Sequence, residues 1–239
     1  MSRDLIKYIA MATMLLNHIS NVFMLPGTFW AECFKDIGYF TMPVMCYFLV
    51  EGYHYTRSKK RYASRLAIFA AVSELPFCLA FTKGAVLEFV GMNMIFTLLL
   101  CFGILAVMEH VENLGARVTF IIALTAMSVY SDWPILAPIF TMLFAWAYGS
   151  QRRTNQAFIL SITLFACERL LSGLAVFSFL RALSWTVGQV AGMALAAVVI
   201  VYCYNGQRAR KGKTFAKWFF YGFYPGHLLI LGILRLLIL

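Results

Sequence analysis

The first apolar stretch of the chain carries a histidine and a lysine whose spacing suits acid–base chemistry inside a helix. His18 follows Asn17, and Lys7 precedes His18 by eleven residues. On a helix that spacing returns to within about 20° of the same direction, about 16 Å further along the axis. An imidazole is suited to general-base work, since its free pKa lies near 6.5. The same spacing also fits a buried structural histidine, with Lys7 extending to a membrane interface.

A second group of ionisable residues follows in the next two apolar stretches. Glu51 and His54 lie three residues apart and share a helix face. Glu74 lies within an apolar stretch just before Pro76, a residue expected to kink a helix. A carboxylate at that depth requires a partner, for which Arg65 is one candidate. Each of these residues fits either a structural role or the lining of a functional cavity.

Further polar residues lie close to predicted helix ends or breaks. Tyr224 and His227 flank Pro225 and Gly226, and this combination predicts a local break in the last helix. Irregular backbone at membrane depth is tolerated mainly where it lines a cavity or is buried in protein. Asn93 and Asp132 fall at helix ends, where capping is an ordinary explanation.

The composition excludes most classes of soluble protein. Of 239 residues, 62% are apolar and only 13% are charged, against roughly 45–50% and 25% in soluble domains. The net charge of +10 comes from short basic runs between apolar stretches, a pattern typical of membrane-protein loops rather than of nucleic-acid binding. The six cysteines form no CxxC pair or Cys/His cluster, and no metal site is expected.

The apolar stretches predict an all-α integral membrane protein with about nine transmembrane helices in a single domain, 1–239. Spans are expected at 5–25, 37–56, 62–81, 91–110, 117–131, 134–149, 156–172, 182–204 and 214–238. Lys and Arg concentrate in or near the ends of the loops 57–61, 111–116, 150–155 and 205–213. That asymmetry predicts a cytoplasmic N-terminus and a multi-pass protein of the cytoplasmic membrane.

Several stretches resemble a known family, TraX, named for a membrane protein that acetylates the N-terminus of a conjugative pilin. The similar stretches are 6–20, 37–77, 93–100, 131–134 and 219–232. The family is similar to a wider group of membrane acyltransferases, the acyltransferase-3 and heparan-glucosaminide acetyltransferase enzymes. The resemblance implies transfer of an acetyl or short acyl group from cytosolic acyl-CoA to an amine or hydroxyl, such as a pilin-like peptide N-terminus or an envelope glycan.

The resemblance also implies roles for individual residues, with His18 as general base and Asn17 beside it. The acyl-CoA phosphates would be attracted by Lys7, Arg57, Lys59, Lys60, Arg61 and Arg65. The substrate cavity would be lined by Tyr39, Glu51, His54, Glu74, Asn93, Asp132, Tyr224 and His227. Membrane lipids and the acceptor are the expected partners, without nucleic acid or metal.

The chain departs from the family pattern at two positions. The family usually has Asp where this chain has Asn17, and many members have Arg where it has Tyr39. These departures keep a second hypothesis open, in which the protein is a non-catalytic transporter or a lipid- or peptide-binding protein that retains the fold.

Overall fold

The computed structural model describes residues 1–84, 86–207 and 213–238. These residues form ten α-helices and no strand, which confirms the predicted all-α class. The helices are α1 Arg3–Phe23, α2 Phe29–Gly38, α3 Thr41–Tyr55, α4 Lys59–Phe81, α5 Met94–His110, α6 Leu114–Met127, α7 Leu136–Ala147, α8 Gln151–Leu174, α9 Phe179–Val198 and α10 Lys213–Ile238. A 3₁₀ turn, Ser128–Tyr130, follows α6, and a π-helical turn, Val199–Cys203, follows α9. Arg208, Arg210 and Lys211 of the predicted basic loop lie outside the described residues.

The predicted span 37–56 is wrong at its start, because a separate short helix, α2, ends at Gly38. The turn that follows is closed by the Tyr39 and Phe40 amides, which donate to the carbonyl oxygens of Asp36 and Ile37. A side chain at residue 38 would overlap that of Asn17, so the glycine allows α1 and α2 to approach closely. The sequence pattern did not reveal α2, since its ten residues are too few to span a membrane.

The predicted break in the last helix is also wrong, because α10 continues from Lys213 to Ile238 with Pro225 inside it. Proline removes one backbone N–H donor, the one that would bond to the carbonyl four residues earlier. The helix nevertheless continues on both sides of Pro225, so the loss of this one bond does not end it.

Four of the described helical segments are long and apolar enough to cross a membrane. They are Lys59–Phe81, Gln151–Leu174, Phe179–Cys203 and Thr214–Ile238. Three more, Met94–His110, Leu114–Tyr130 and Leu136–Ala147, are apolar but shorter. On α4 the exposed residues Ile68, Val72 and Leu75 form an apolar stripe at helical spacing. Such a stripe is typical of a lipid-facing surface, and these features together identify a membrane protein.

The chain divides into two compact units. Unit 1 comprises Met1–Met45 and Gly149–Phe220, and unit 2 comprises Cys46–Tyr148 and Tyr221–Leu239. In unit 1, α2 packs against both α1 and α9, and α8 packs against α9. In unit 2, α5 packs against α4, α6 and α7. The predicted site residues Lys7, Asn17, His18 and Tyr39 belong to unit 1, and all the others belong to unit 2.

Candidate functional site

A hydrogen-bonded polar cluster, the Asn93 node, forms in unit 2 where α5 begins. The Asn93 amide donates to the Ala70 carbonyl at 2.7 Å and to the Glu74 carboxylate at 2.6 Å. Its side-chain oxygen accepts from the Ile95 and Phe96 amides, so Asn93 also caps α5. Both amide protons are therefore used, and Asn93 has no donor left for a substrate. Glu74 is partnered by Asn93 rather than by Arg65.

Helix α10 closes the Asn93 node from the other side. The Met94 amide donates to the Tyr224 hydroxyl at 3.1 Å, which satisfies a backbone donor of the first turn of α5. The Tyr224 and His227 rings meet edge to face, with centroids 5.7 Å apart. His227 Nδ1 donates to the Phe223 carbonyl at 2.7 Å, which fixes the tautomer and leaves Nε2 as the acceptor nitrogen. The sequence-predicted residues Glu74, Asn93, Tyr224 and His227 thus come together.

Asp132 lies beside the node, at the rim of a cavity of about 490 Å³. The segment that carries it is tied to the stretch before α5, because the Met92 amide donates to the Tyr130 carbonyl and the Asp132 amide donates to the Met92 carbonyl. The Thr97 hydroxyl lies 2.7 Å from the Asp132 carbonyl oxygen. Burial raises the pKa of the Asp132 carboxyl to about 6, and a hydrogen bond from the Trp133 amide partly opposes that rise.

The opposite end of unit 2 holds a second polar group, about 22 Å from Glu74 along α4. Here Lys59 forms an ion pair with Glu109. The Glu109 carboxylate also accepts a hydrogen bond from the Tyr53 hydroxyl. The exposed His54 ring stacks on Tyr148, with centroids 3.9 Å apart. Lys59 is therefore partly neutralised and is a weaker candidate for binding phosphate than the sequence predicted.

The remaining predicted cations of unit 2 differ in exposure. Arg57, Lys60 and Arg61 are exposed at the start of α4, whereas Arg65 is half-buried and lies over the Tyr62 ring, 5.5 Å from its centroid. Glu51 is buried one turn before His54. The three exposed cations are the ones able to meet an anionic ligand from solvent.

In unit 1 a polar stripe on α1 fixes the neighbouring segments. The hydroxyls of Thr13 and Thr41 both lie within 3.0 Å of the Ala10 carbonyl oxygen. Asn17 donates to the Lys35 carbonyl at 3.2 Å and accepts from Asn21 at 2.8 Å. These contacts hold α2 and the start of α3 against α1, so Asn17 has a structural role.

His18 lies on the adjoining face of α1 and is only 6% exposed. By helical spacing it shares that face with Met11 and Met14, which are also buried, and with Lys7. The Lys7 ammonium sits 5.2 Å from the ring centroid of Phe220. The face of α1 predicted from the sequence therefore carries the enclosed imidazole of His18 and, about 16 Å away along the helix axis, the ammonium of Lys7 resting on an aromatic ring.

Asp36 lies where α2 crosses α9 at Gly188 and Gly192. A side chain at either glycine would collide with Asp36, so the small residues set the close approach of the two helices. Burial raises the pKa of the Asp36 carboxyl to about 6; the negative charge of Glu32 raises it further and the charge of Lys35 lowers it. Asp36 Oδ1 is buried and has no hydrogen-bond partner in the described part of the chain.

Further buried polar atoms of unit 1 lack hydrogen-bond partners among the described residues, and those of Gln189 and Ser161 belong to fully buried side chains. Gln189, fully buried on α9, has neither its amide nitrogen nor its oxygen paired, and Ser161 Oγ on α8 is likewise unpaired. Buried polar atoms rarely stay without a hydrogen bond in native structures, and a bound water or a ligand is the usual partner. Sequence reasoning missed Asp36 and Gln189, although a glutamine in the middle of an apolar helix is a recognisable signal.

The other predicted residue of unit 1, Tyr39, packs its ring against Phe165, with centroids 5.1 Å apart. The Arg169 guanidinium lies over the Phe165 ring, 5.4 Å from its centroid. In the described residues no group of three His, Cys, Asp or Glu side chains is arranged to hold a metal ion. Chemically, unit 1 therefore offers an enclosed imidazole and unpaired carboxyl, amide and hydroxyl groups.

Comparison with known proteins gives a consistent result. The profile of the TraX protein family matches residues 2–235. A probable fimbrial assembly protein FimC, serogroup H1, from Dichelobacter nodosus is 32% identical over 235 residues, covering 95% of this chain and 92% of that protein. No solved structure matches the chain significantly. With nearly its whole length matched by one family, the chain belongs to the TraX family.

Proposed function

We propose that this protein is an acyl-CoA-dependent membrane acyltransferase. It would transfer an acetyl or short acyl group to an amine or hydroxyl acceptor, such as the N-terminus of a pilin-like peptide or an envelope glycan. The observation that carries the proposal is the TraX match over residues 2–235. The relative named as a probable fimbrial assembly protein supports an acceptor on the pilus pathway.

His18 is the proposed general base. The neutral acceptor nitrogen or oxygen attacks the thioester carbonyl, and the imidazole takes the acceptor's proton as the new C–N or C–O bond forms. The C–S bond then breaks, and the imidazolium returns the proton to the departing sulfur, so that CoA leaves as the thiol. The burial of His18 supports this role, since proton transfer in an enclosed site avoids competition from water.

The unpaired polar groups of unit 1 support a polar substrate in that unit. Gln189 and Ser161 could donate to, and accept from, the amides of a pantetheine arm or the oxyanion of a tetrahedral intermediate. Asn17 is less suited to that task, because one of its amide protons is directed at the Lys35 carbonyl. Gln189 is therefore the stronger oxyanion-donor candidate.

Cations in both units are candidates for binding the donor's phosphates. In unit 1 the candidate is Lys7, whose ammonium rests on an aromatic ring. In unit 2 the candidates are Arg57, Lys60 and Arg61, since Lys59 is paired with Glu109. Neutralising each set separately, as Lys7→Gln and as Arg57→Gln with Lys60→Gln and Arg61→Gln, should raise the apparent KM for acetyl-CoA without abolishing turnover.

The second candidate function is a non-catalytic membrane transporter or binding protein. It is favoured by Asn17, which replaces the family's usual acid and is used in packing α1 against α2. The two functions differ in their response to CoA. An acyltransferase should melt at a higher temperature in saturating CoA, because a ligand at 100 times its Kd adds about 2.7 kcal/mol of stability.

The direct test uses the purified chain in lipid nanodiscs with acetyl-CoA and a pilin-like peptide that has a free amino terminus. We expect peptide acetylation by mass spectrometry and release of one free thiol for each acetyl group transferred. A parallel incubation with an envelope glycan fraction tests the hydroxyl alternative. The absence of both acetylated products, together with no CoA-dependent melting shift, would contradict the proposal and favour the non-catalytic function.

A further inference from the structure

We propose that the cavity beside Asp132 is a binding site for an organic ammonium ion with an apolar body. The cavity lies wholly within unit 2, measures about 490 Å³ and opens to the surface. Apart from Asp132 and Ser131 its lining is apolar or aromatic. The larger lining side chains are Phe77, Phe89, Val90, Met92 and Tyr130.

The charge at this cavity points to a cationic ligand. In the described part of the chain no lysine, arginine or histidine nitrogen lies within 4.0 Å of the Asp132 carboxylate. The carboxylate receives a hydrogen bond from the Trp133 amide, which supports an ionised form but does not neutralise it. A buried carboxylate is costly unless it is paired, and a bound ammonium would supply the missing charge.

The lining favours an ammonium carried on an apolar group rather than a small inorganic cation. Phe89 and Tyr130 are exposed aromatic side chains at the cavity, and aromatic faces attract ammonium groups. A hard metal ion requires six or more oxygen ligands, and the lining side chains offer one carboxylate, Asp132, and the hydroxyls of Ser131 and Tyr130. An apolar body would also remove the two exposed rings from water.

The backbone that presents Asp132 is strained in a way that fixes the carboxylate. Trp133 has φ 59° and Ile135 has φ 61°, values that are rare for side chains of this size and branching. On the other side, the bridge between Met92 and Ser131 ties the segment to the stretch before α5. Strained conformations persist where the surroundings enforce them, and they concentrate at ligand-binding positions. The carboxylate is therefore held at the cavity before any ligand binds.

The test measures binding in the absence of any acyl donor, so its result is independent of the proposed acyl transfer. Calorimetry on the full chain in nanodiscs would compare 2-phenylethylammonium with the neutral 2-phenylethanol and with methylammonium. We expect the aromatic ammonium to bind at least about tenfold more tightly than either control, since both the charge and the apolar body contribute. Equal binding of the neutral alcohol would overturn the inference in favour of a purely apolar cavity.

Two variants locate the site. Asp132→Asn should weaken binding of 2-phenylethylammonium at least about tenfold while leaving the weak binding of the alcohol unchanged. The matched control is Glu112→Gln, which removes the same charge from an exposed residue just beyond the far end of α5. Melting curves without ligand confirm that each variant is folded. Unchanged ammonium binding by folded Asp132→Asn, or an equal loss in Glu112→Gln, would overturn the assignment.

Discussion

Two regions of the molecule, the Asn93 node and the part of unit 1 built by α2, α8 and α9, treat their buried polar groups in opposite ways. At the Asn93 node of unit 2, the asparagine amide, the Glu74 carboxylate and the first amides of α5 are all paired. In unit 1, polar atoms of Asp36, Ser161 and Gln189 are buried without partners in the described part of the chain. A saturated network stabilises and orients helices, whereas unpaired buried groups cost stability and keep their bonding capacity for a ligand. Unit 2 is not saturated throughout, since the buried Ser73 hydroxyl outside the node also lacks a partner among the described residues. We infer that the node is scaffold and that the unpaired groups of α2, α8 and α9 are better suited to bind a ligand than the node is.

The largest effect should come from breaking the node. Asn93→Ala removes the cap of α5 and takes the side-chain donor away from the Glu74 carboxylate and the Ala70 carbonyl, while the backbone amide of residue 93 still donates to Glu74. The summed loss should be about 3 kcal/mol or more. We expect a strong fall in the denaturant midpoint in detergent micelles. The comparison variant is Asn21→Ala, whose exposed amide makes one hydrogen bond and should cost less than about 1 kcal/mol. Similar denaturant midpoints for the two variants would contradict the claim that the Asn93 node stabilises the fold more than an exposed polar residue does.

A second effect concerns Asp36, whose carboxyl is destabilising when ionised. Its folded-state pKa of about 6 lies above the ordinary value of 3.8, mainly because of burial. The native state therefore holds the proton more tightly than the unfolded chain, and Asp36 lowers stability as the pH rises from about 4 to about 6. Asp36→Asn should remove this slope and stabilise the protein at pH 7.5 by about 2 kcal/mol. Denaturant midpoints at several pH values measure both effects, and a variant less stable than wild type at pH 7.5 would contradict them.

A smaller effect in the same direction is expected at Gln189. Gln189→Met keeps nearly the same shape but removes the two unpaired polar atoms, so the folded protein should gain about 1 kcal/mol. If these atoms bind substrate, acetyl transfer should fall at least about tenfold in the stabilised variant. Thermal unfolding measures the expected gain in stability, and the transfer assay measures the expected loss of activity. A destabilised Gln189→Met would show that the amide is paired in the native protein, and unit 1 would then resemble the node.

The sequence predicted the helices well where an apolar run was long. It missed α2 because Glu32, Lys35 and Asp36 interrupt the apolar pattern, and the stability of this short helix comes from packing against α1 and α9. It predicted a break at Pro225, whereas α10 continues through that residue, although the proline removes one backbone hydrogen bond and crowds the carbonyl four residues earlier. The nine membrane crossings, the cytoplasmic N-terminus and the description of 1–239 as one domain stay predictions.

Among the candidate site residues, spacing along a single helix was informative and contacts between helices were not. The pairing of Glu74 with Asn93 joins α4 to the start of α5, a contact that no local pattern contains. The importance of Asp36 likewise depends on the glycines of α9. The face shared by His18 and Lys7 followed directly from helical geometry, because both residues lie on the continuous helix α1.

The most direct test of the account is the acetyl-transfer rate of His18→Gln, measured by mass spectrometry of the acceptor peptide in nanodiscs. Loss of a general base should lower the rate at least about 100-fold, while the CoA-dependent melting shift is retained. The matched control, His110→Gln, changes an exposed histidine at the end of α5 and should transfer at the wild-type rate. A folded His18→Gln protein with full transfer activity would contradict the central claim.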